Sequence, residues 1–303
     1  MDKASRDDPA AADDRVRLSA HRVRRHRIRR AFDQAADGYD AAAEIQRAIC
    51  QALQVFGRET ATATTPRPNA RVLDAGCGTG FGQAAIELLC PGASLLALDL
   101  APAMLERARS RHGAQAASRT PTLMPVCADL EHLPLADACL AMVWSSLAMQ
   151  WCDPARALAE CARVLAPGGV ALIATLGSAT LHELRDAFAS IDDARHTIEF
   201  HPASRWVQDV TTAGLAVEAL DTRPMYACAE DLRSLLRDIK AIGAATVDHG
   251  RRREALGRAA WMQLQAQYER HRRSDGLLPA TYDVILLALR KPLIANPPIG
   301  DGA

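Results

Sequence analysis

The chain has 303 residues, of which 49% are hydrophobic, and this is enough apolar material for a substantial core. Lysine plus arginine and aspartate plus glutamate number 36 each, so the broad basic excess typical of nucleic-acid-binding proteins is missing. No apolar run reaches the roughly 18 residues that a transmembrane helix needs. We therefore expect neither a nucleic-acid partner nor a membrane partner.

Eight cysteines are scattered between Cys50 and Cys228, without a C-x-x-C pair and without zinc-ligand spacing. Several lie inside apolar runs, where a free thiol behaves as a small hydrophobic group. This usage suits a reducing compartment. The first residues are polar and acidic, unlike a secretory signal peptide. We expect a cytoplasmic protein with no bound metal.

The first 20 residues are charged and alanine-rich, and we expect them to form a disordered arm. Residues 21–303 are expected to form one domain. Its N-terminal part, 21–60, has a helical pattern with a break near Gly38 and is expected to cap the domain. The segment 60–69, rich in Thr and Pro, is typical of a linker.

From residue 71 onward, short apolar runs alternate with helical patterns. Asp153 can cap a helix whose first residue is Pro154. Such alternation is typical of a parallel sheet covered on both faces, that is, an open doubly wound α/β domain. The predicted strands are 71–74, 94–99, 122–128, 139–146 and 169–176, and the predicted helices are about 81–90, 102–112 and 154–165.

The alternation weakens beyond residue 177. Two further strands are predicted, at 215–220 and 281–289, with a helical insertion at about 229–275 between them. The first helix of this insertion places one apolar stripe on a single face, formed by Leu232, Leu235, Leu236, Ile239 and Ile242.

The stretch LDAGCGTGFG, residues 73–82, lies between the first predicted strand and the first helix of the α/β region. It lacks the Lys and Ser/Thr of a P-loop, and its glycines do not fit the G-x-G-x-x-G spacing of a dinucleotide site. The remaining pattern begins with Asp74 and continues with Gly76, Gly78 and Gly80. An acid at this position would repel a pyrophosphate, but it suits a ligand with a cation, such as the ammonium of an amino acid.

This pattern resembles the first motif of the class I S-adenosylmethionine-dependent methyltransferases. The resemblance implies a Rossmann-like, doubly wound seven-stranded sheet with helical lid elements. It also implies that the cofactor S-adenosylmethionine lies against the glycine loop, with Asp74 near its amino group. By the same resemblance, Asp99 binds the ribose hydroxyls, Asp129 meets the adenine amino group, and Ser145 lines the methyl-transfer face. The remaining cofactor-binding residues implied are Gly76, Cys77, Gly78, Gly80, Leu100, Met104 and Leu130.

Four other stretches are similar to one subfamily, the malonyl-thioester O-methyltransferases of biotin synthesis. They are RIRRAFDQAADGYD at 27–40, WSSLAMQW at 144–151, LRDIKAIGA at 236–244 and LPATYDVILLALRKP at 278–292. The resemblance covers about residues 22–292. One departure is Ser146, where the family usually has asparagine; serine keeps a polar group there but has a shorter reach.

The resemblance implies methyl transfer to the free carboxylate of malonyl-[acyl-carrier protein] or malonyl-CoA. A carboxylate is already ionised at neutral pH, so no general base is expected. Tyr39 and Trp151 are the expected catalytic residues, acting by positioning, and the expected substrate-binding set is Tyr39, Gln150, Trp151 and Tyr282. The sequence does not identify a cation for the carboxylate; Lys240 is one candidate.

Acyl-carrier proteins are strongly acidic, so the basic clusters at 22–30, 251–253 and 270–273 are expected to steer one to the site. Three alternatives stay open. They are a methyltransferase-like assembly factor of respiratory complex I that acts as an arginine hydroxylase, a methyltransferase for another small acid or a quinone, and a non-catalytic binding module. Nucleic-acid methylation is disfavoured, because the fourth strand lacks an N-P-P-Y-like stretch for a flipped base.

Overall fold

The computed structural model describes residues 9–60, 70–114, 123–241 and 256–293, without the side chains of residues 9–20 and 114. Seven strands form one sheet in the order β3-β2-β1-β4-β5-β7-β6. They are β1 (Arg71–Ala75), β2 (Ser94–Asp99), β3 (Leu123–Cys127), β4 (Leu140–Ser146), β5 (Leu165–Leu176), β6 (Ala216–Ala229) and β7 (Leu278–Arg290).

The sheet is mixed. β1 to β5 pair in parallel, whereas β7 enters between β5 and β6 and runs antiparallel to both. The parallel strands carry near-continuous apolar runs, as expected for strands buried on both faces. The order reverses between β1 and β4, and in sheets of this kind the ligand crevice lies outside the carboxyl ends of the strands at that point.

The described helices lie before the sheet and on both of its faces. They are α1 (Pro9–Ala35), α2 (Tyr39–Ala42), α3 (Glu44–Thr60), α4 (Gly82–Leu89), α5 (Pro102–Ala114), α6 (Pro154–Val164), α7 (His182–Phe188), α8 (Ala203–Thr212), α9 (Leu232–Ala241) and α10 (Arg258–Tyr268). None of them is both long and apolar enough to cross a bilayer.

Two large apolar clusters lie on opposite faces of the sheet. One packs α3, α4, α7, α9 and α10 against it, and the other packs α6 and α8. On α3, Ile49 and Leu53 are fully buried, and each such side chain contributes about 1.5–3 kcal/mol relative to an exposed one. The sheet is therefore covered on both sides, as a doubly wound domain requires.

The helix start, the helix break and the apolar stripe predicted from the sequence are confirmed at α6, between α1 and α2, and on the described part of α9. Asp153 caps α6 by accepting a hydrogen bond from the Arg156 backbone N–H at 3.1 Å, and Pro154 is its first residue. α1 ends before Gly38 and α2 begins at Tyr39. On α9, Leu232, Leu235 and Ile239 are buried and Leu236 is half-buried, whereas Ile242 lies outside the described residues.

Other boundaries differ from those expected. Residues 9–20 are helical rather than disordered, because they continue α1 with alanines and arginines, which are good helix formers. β5 begins directly after α6, at Leu165, and β6 extends to Ala229 instead of residue 220. α7 and α8 were not predicted. The expected insertion contains α9 and α10, and its residues 242–255 lie outside the described chain.

The N-terminal helices are tied to the sheet domain through α5. Asp33 accepts a hydrogen bond from the Ala103 backbone N–H at 3.1 Å. Asp40 pairs with Arg111 of α5 and accepts from the Thr79 hydroxyl at 2.6 Å. These contacts hold α1 and α2 over the carboxyl ends of β1 and β2.

Candidate active site

The glycine loop after β1 makes a tight turn against the strand ends. The backbone N–H groups of Gly76 and Cys77 both donate to the Leu98 carbonyl, at 2.8 and 2.9 Å. Gly76 and Gly78 have φ of 78° and 51°, in the left-handed region that favours glycine. A Cβ on Gly76 would lie 2.1 Å from the Ala148 Cβ. The loop therefore needs glycine at this position for steric reasons as well as for its conformation.

Asp74, at the end of β1, is a buried carboxylate without a partner. It is 2% exposed, and its Oδ2 has no hydrogen bond. Burial, with the charge of Asp99, raises the pKa of Asp74 to about 8. The Nε1 of Trp144 is also buried and unpartnered, and both atoms lie within 3 Å of the point where a Cβ on Gly82 would be. The Asp74 carboxylate fits a ligand group that brings a positive charge, and the Trp144 N–H can donate to an acceptor on the same ligand.

Asp99, at the end of β2, is held by backbone donors on both oxygens. The N–H of Gly78 donates at 2.9 Å and that of Ala101 at 2.8 Å. Burial raises the pKa of Asp99 to about 6, although these hydrogen bonds oppose the shift. The carboxylate is therefore fixed in orientation at the mouth of the strand crevice, with lone pairs left over to accept from hydroxyl groups.

Three adjoining cavities lie above these strand ends. We call the first the strand-end cavity; its lining includes Gly76, Gly78, Asp99, Leu100, Met104 and Leu130 from the predicted cofactor set, with Ser146 beside them. The second, the glycine-loop cavity, is lined by residues that include Asp74, Cys77, Phe81 and Trp144. Together they bring eight of the eleven predicted cofactor residues to one crevice.

Three predicted cofactor residues do not line these cavities. The Ser145 hydroxyl is fully buried and donates to the Ala75 carbonyl at 2.8 Å, so the neighbouring Ser146 presents the polar group instead. Gly80 shapes the loop, since a Cβ there would meet the Gln83 amide at 2.5 Å. Asp129 is engaged by Arg25 of α1.

Asp129, after β3, forms a two-pronged ion pair with Arg25 of α1. The Arg25 Nε donates to Asp129 Oδ2 at 2.6 Å, and its Nη2 donates to Oδ1. Arg25 also donates to the Trp151 carbonyl at 3.1 Å, and Glu131 lies 3.8 Å away. His21, one turn earlier, contacts Glu131 at 2.7 Å. These pairs hold α1 over the strand-end cavity, which α1 roofs with Arg25, Ile28 and Phe32.

We predict that Arg25→Met weakens the attachment of α1 over the strand-end cavity. The substitution leaves Asp129 and the buried Glu131 without their main cation, and breaking a buried pair of this kind costs about 3–5 kcal/mol. Denaturant unfolding should show most of that loss, and limited trypsin digestion should cut α1 faster. Arg29→Met is the matched control on the same helix, since Arg29 is half exposed and its contact with Asp33, at 3.7 Å, is a surface ion pair. This variant should change the unfolding free energy by less than about 1 kcal/mol. Equal behaviour of the two variants would contradict the role given to Arg25.

The third cavity, which we call the aromatic cavity, contains the whole predicted substrate set: Tyr39, Gln150, Trp151 and Tyr282 all line it. Its other walls are apolar or neutral and include Phe32, Gln46, Thr180, Thr197 and Phe200. No described residue of this lining is a cation, and Lys240 is exposed on α9 and does not belong to it. Within the described chain, the cavity offers neutral hydrogen-bonding groups instead.

Tyr39 lies where the three cavities meet, since it lines all of them, as does Leu147. Burial, together with the charge of Asp99, raises the pKa of Tyr39 well above its usual range. Burial does the same for Tyr282. Both hydroxyls therefore keep their protons at neutral pH and can donate hydrogen bonds. Leu147 has a φ of 58°, an unusual conformation for leucine that is typical of functional sites.

The setting of Cys77 disfavours a nucleophilic role. Burial raises the pKa of its thiol well above the usual value, and the charges of Asp99 and Asp74 act in the same direction. The reactive thiolate form is therefore scarce at neutral pH.

Arg25 and Gln46 are two site residues that were not predicted from the sequence. Arg25 was counted only as part of a basic cluster, although His21, Arg25, Ile28 and Phe32 recur at a spacing of four, three and four residues and so share one helix face. Gln46 lies among the buried residues Ile45, Ile49 and Cys50 of α3. A polar residue inside an apolar stripe was the available signal.

The fold and the crevice define a class. A family model described as a methyltransferase domain matches residues 73–173. Among solved structures, the chain resembles the YcgJ protein of Bacillus subtilis (TM-score 0.54, 18% identity, covering 80% of this chain and 99% of that one). It also resembles the [4+2]-cyclase SpnF (TM-score 0.50, 18% identity, 79% and 81%). These likenesses concern the fold, which is that of the class I methyltransferases.

Curated relatives narrow the class. The chain is 45% identical to the malonyl-[acyl-carrier protein] O-methyltransferase of Dechloromonas aromatica, over 88% of this chain and 94% of the relative. It is 43% identical to the enzyme of that name from Laribacter hongkongensis, over 86% of each. It is also 37% identical to the biotin biosynthesis bifunctional protein BioHC of Cellvibrio japonicus, over 93% of this chain and 53% of that protein. The chain belongs to the malonyl-[acyl-carrier protein] O-methyltransferase family.

Proposed function

We propose that this protein transfers the methyl group of S-adenosylmethionine to the free carboxylate of malonyl-[acyl-carrier protein], at the start of biotin synthesis. The observation that carries the proposal is the junction at Tyr39 and Leu147, where the crevice fitted to the cofactor opens into the aromatic cavity. Family membership supports the choice of acceptor. The eight free cysteines suit a reducing compartment, and we place the reaction in the cytoplasm.

The residues of the two glycine-side cavities fit the cofactor. Asp74 has an unpartnered carboxylate oxygen for an ammonium group, Asp99 can accept from ribose hydroxyls, and Met104 and Leu130 supply apolar walls for a base. Asp129 can take part at the adenine only through lone pairs that its ion pair with Arg25 leaves open. When bound, S-adenosylmethionine supplies a methyl group on a sulfonium that is already activated.

The residues of the site orient the methyl acceptor and exclude water from it. An ionised carboxylate needs no base, and the protonated hydroxyls of Tyr39 and Tyr282 can hold it by hydrogen bonds. Phe32 packs edge to face on Trp151, with ring centroids 5.4 Å apart, and both rings shield the aromatic cavity from water. Alignment of two reactants can lower the barrier by about 7–11 kcal/mol. One oxygen gains the methyl, the electron pair of the broken bond stays on sulfur, and no proton moves.

The decisive experiment is incubation of the purified protein with methyl-labelled S-adenosylmethionine and malonyl-[acyl-carrier protein], followed by mass analysis. The proposal expects a gain of one methyl group on the malonyl carrier, lost again on ester hydrolysis, and no product from the acetyl carrier. Malonyl-CoA in a parallel reaction shows whether the carrier protein is needed. Binding of the cofactor without ester formation on either thioester would refute the proposed acceptor.

The basic face of α1 is the strongest candidate for contact with the acidic carrier protein. Arg22 and Arg30 are exposed there, next to Arg29. The cluster at 270–273 is used internally in part, since Arg272 pairs with Glu269 and Arg273 pairs with Asp275. The cluster at 251–253 lies outside the described residues.

We predict that reversing the charge at Arg22, Arg29 and Arg30 to glutamate lowers kcat/KM for malonyl-[acyl-carrier protein] about tenfold at low salt, because steering by opposite charges is lost. The loss should shrink as salt is added. Malonyl-pantetheine, which lacks the acidic protein, should react at the same rate with both forms. A triple variant with an unchanged rate on the carrier protein would exclude this face as the docking surface.

A further inference from the structure

Gln46 is a buried amide without any hydrogen bond. It lies near the start of α3, is 8% exposed, and its Oε1 is one of the buried side-chain atoms without a partner. Leaving such a group unsatisfied destabilises the folded state. No hydrogen bond fixes the orientation of this amide, and a half-turn about its last bond exchanges Oε1 with the N–H groups. The N–H groups can therefore face either of the two cavities that Gln46 lines.

Gln46 lies between the cavity expected to hold part of the methyl donor and the cavity expected to hold the methyl acceptor. It lines the glycine-loop cavity, together with Asp74 and Trp144, and also the aromatic cavity, together with Gln150 and Tyr282. The Gln150 amide differs from it, because its Nε2 already donates to the Leu147 carbonyl at 2.8 Å. Gln46 is thus the amide in the described lining of the aromatic cavity whose N–H groups are both uncommitted.

The charges around Gln46 indicate which ligand its N–H groups serve. On the glycine-loop side, Asp74 already offers a carboxylate to a cation, and a neutral amide adds little to that attraction. On the other side, a negatively charged acceptor would meet no cation among the described lining residues. A carboxylate held there must take its hydrogen bonds from neutral donors.

We propose that the Gln46 side-chain amide binds the acceptor carboxylate directly, donating to the oxygen that does not receive the methyl group. The inference rests on the proposed function and names a substrate-binding residue for it. A neutral donor fixes the carboxylate without neutralising its charge, so the attacking oxygen stays nucleophilic. The same geometry selects an acid over an acyl group that lacks a carboxylate.

Two substitutions and one control test this. Gln46→Met keeps the length of the side chain and removes the N–H donors. Gln46→Glu adds a negative charge that would face the acceptor carboxylate. Gln51→Met makes the methionine change at an exposed position of the same helix and controls for general effects. Malonyl-CoA is titrated calorimetrically into each protein saturated with S-adenosylhomocysteine, so no methyl transfer takes place, and S-adenosylhomocysteine is titrated separately.

We expect Gln46→Met to weaken malonyl-CoA binding about tenfold or more, since a hydrogen bond to a charged group is lost. Gln46→Glu should weaken it further. S-adenosylhomocysteine should bind Gln46→Met within about twofold of the wild type, Gln51→Met should match the wild type in both titrations, and acetyl-CoA should bind all four proteins alike. The unfolding free energy of Gln46→Met should equal or exceed that of the wild type, because an unsatisfied polar group has been removed.

Two results would overturn the inference. Unchanged malonyl-CoA binding in Gln46→Met would show that the amide does not hold the acceptor. Weaker S-adenosylhomocysteine binding with malonyl-CoA binding intact would assign the amide to the cofactor instead. Failure of the proposed function is a separate outcome: the wild type itself would then form no methyl ester from malonyl thioesters, and the inference would fall with it.

Discussion

Replacing Asp74 by asparagine is expected to weaken the binding of S-adenosylmethionine about a hundredfold. The carboxylate is 2% exposed and its Oδ2 has no partner within the protein, so the ligand's ammonium would be its main counter-charge. Losing one side of a buried ion pair costs about 3–5 kcal/mol, and about 1.4 kcal/mol corresponds to a tenfold change in affinity. Calorimetric titration with S-adenosylhomocysteine measures the effect without turnover.

The same substitution should change how stability depends on pH. The pKa of Asp74 is about 8 in the folded protein, against about 3.9 for an unfolded aspartate. Unfolding therefore releases its proton between these values, and the unfolding free energy of the cofactor-free wild type should fall as pH rises from about 4 to about 8. Asp74→Asn should lack the slope between pH 6 and 8, while Asp99, with a pKa of about 6, keeps its own contribution below that range.

Urea unfolding at pH 6, 7 and 8 measures this slope. Because the ammonium of the cofactor needs an ionised Asp74, the affinity of the wild type for S-adenosylhomocysteine should rise over the same interval. An asparagine variant that kept the wild-type slope, or that bound the cofactor product as tightly as the wild type, would contradict the role of Asp74.

Gly76→Ala should lower the unfolding free energy by about 3 kcal/mol. Two costs add up here: a left-handed conformation costs a non-glycine residue about 1–2 kcal/mol, and overpacking costs about 1–3 kcal/mol. Both apply, because φ is 78° and the new Cβ would lie 2.1 Å from the Cβ of Ala148. The displaced loop should also bind the cofactor poorly.

A control separates the two costs. Gly92→Ala places alanine at a φ of 75° with nothing within 4 Å, so only the conformational cost applies there. The double change Gly76→Ala with Ala148→Gly removes the clash and should recover part of the loss. If Gly76→Ala were no less stable than Gly92→Ala, close contact between the glycine loop and the turn after β4 would be ruled out as the reason for this glycine.

The parts of the fold that local chemistry determines were predicted closely. β1, β2 and β4 begin and end within one residue of the predicted strands, and Asp153 and Pro154 start α6 as expected. The insertion of β7 between β5 and β6 was not predicted, because strand order depends on contacts between distant segments. The length of β6 follows from its pairing along the whole of β7 rather than from its own half-exposed sequence.

The residues of the site also divide into those that the local sequence predicts and those that depend on contacts between distant segments. The placement of Asp74 and Asp99 at the crevice could be predicted from the sequence, because each ends a strand beside the glycine loop. The ion pair between Arg25 and Asp129 spans 104 positions of the chain, and no local pattern encodes it. Position along a strand also failed to tell Ser145 from Ser146, because which of the two neighbours points into the crevice depends on the register of β4 with β1 and β5.

The wall between the strand-end cavity and the aromatic cavity has a practical consequence for kinetic work. Phe32, Tyr39, Leu147 and Trp151 line both spaces. Steady-state constants for the two substrates should therefore shift together when one of these side chains is truncated, and such variants cannot assign a residue to one reactant. Met104, which lines only the first of these spaces, and Thr197, which lines only the second, are the positions at which the two Michaelis constants can be separated.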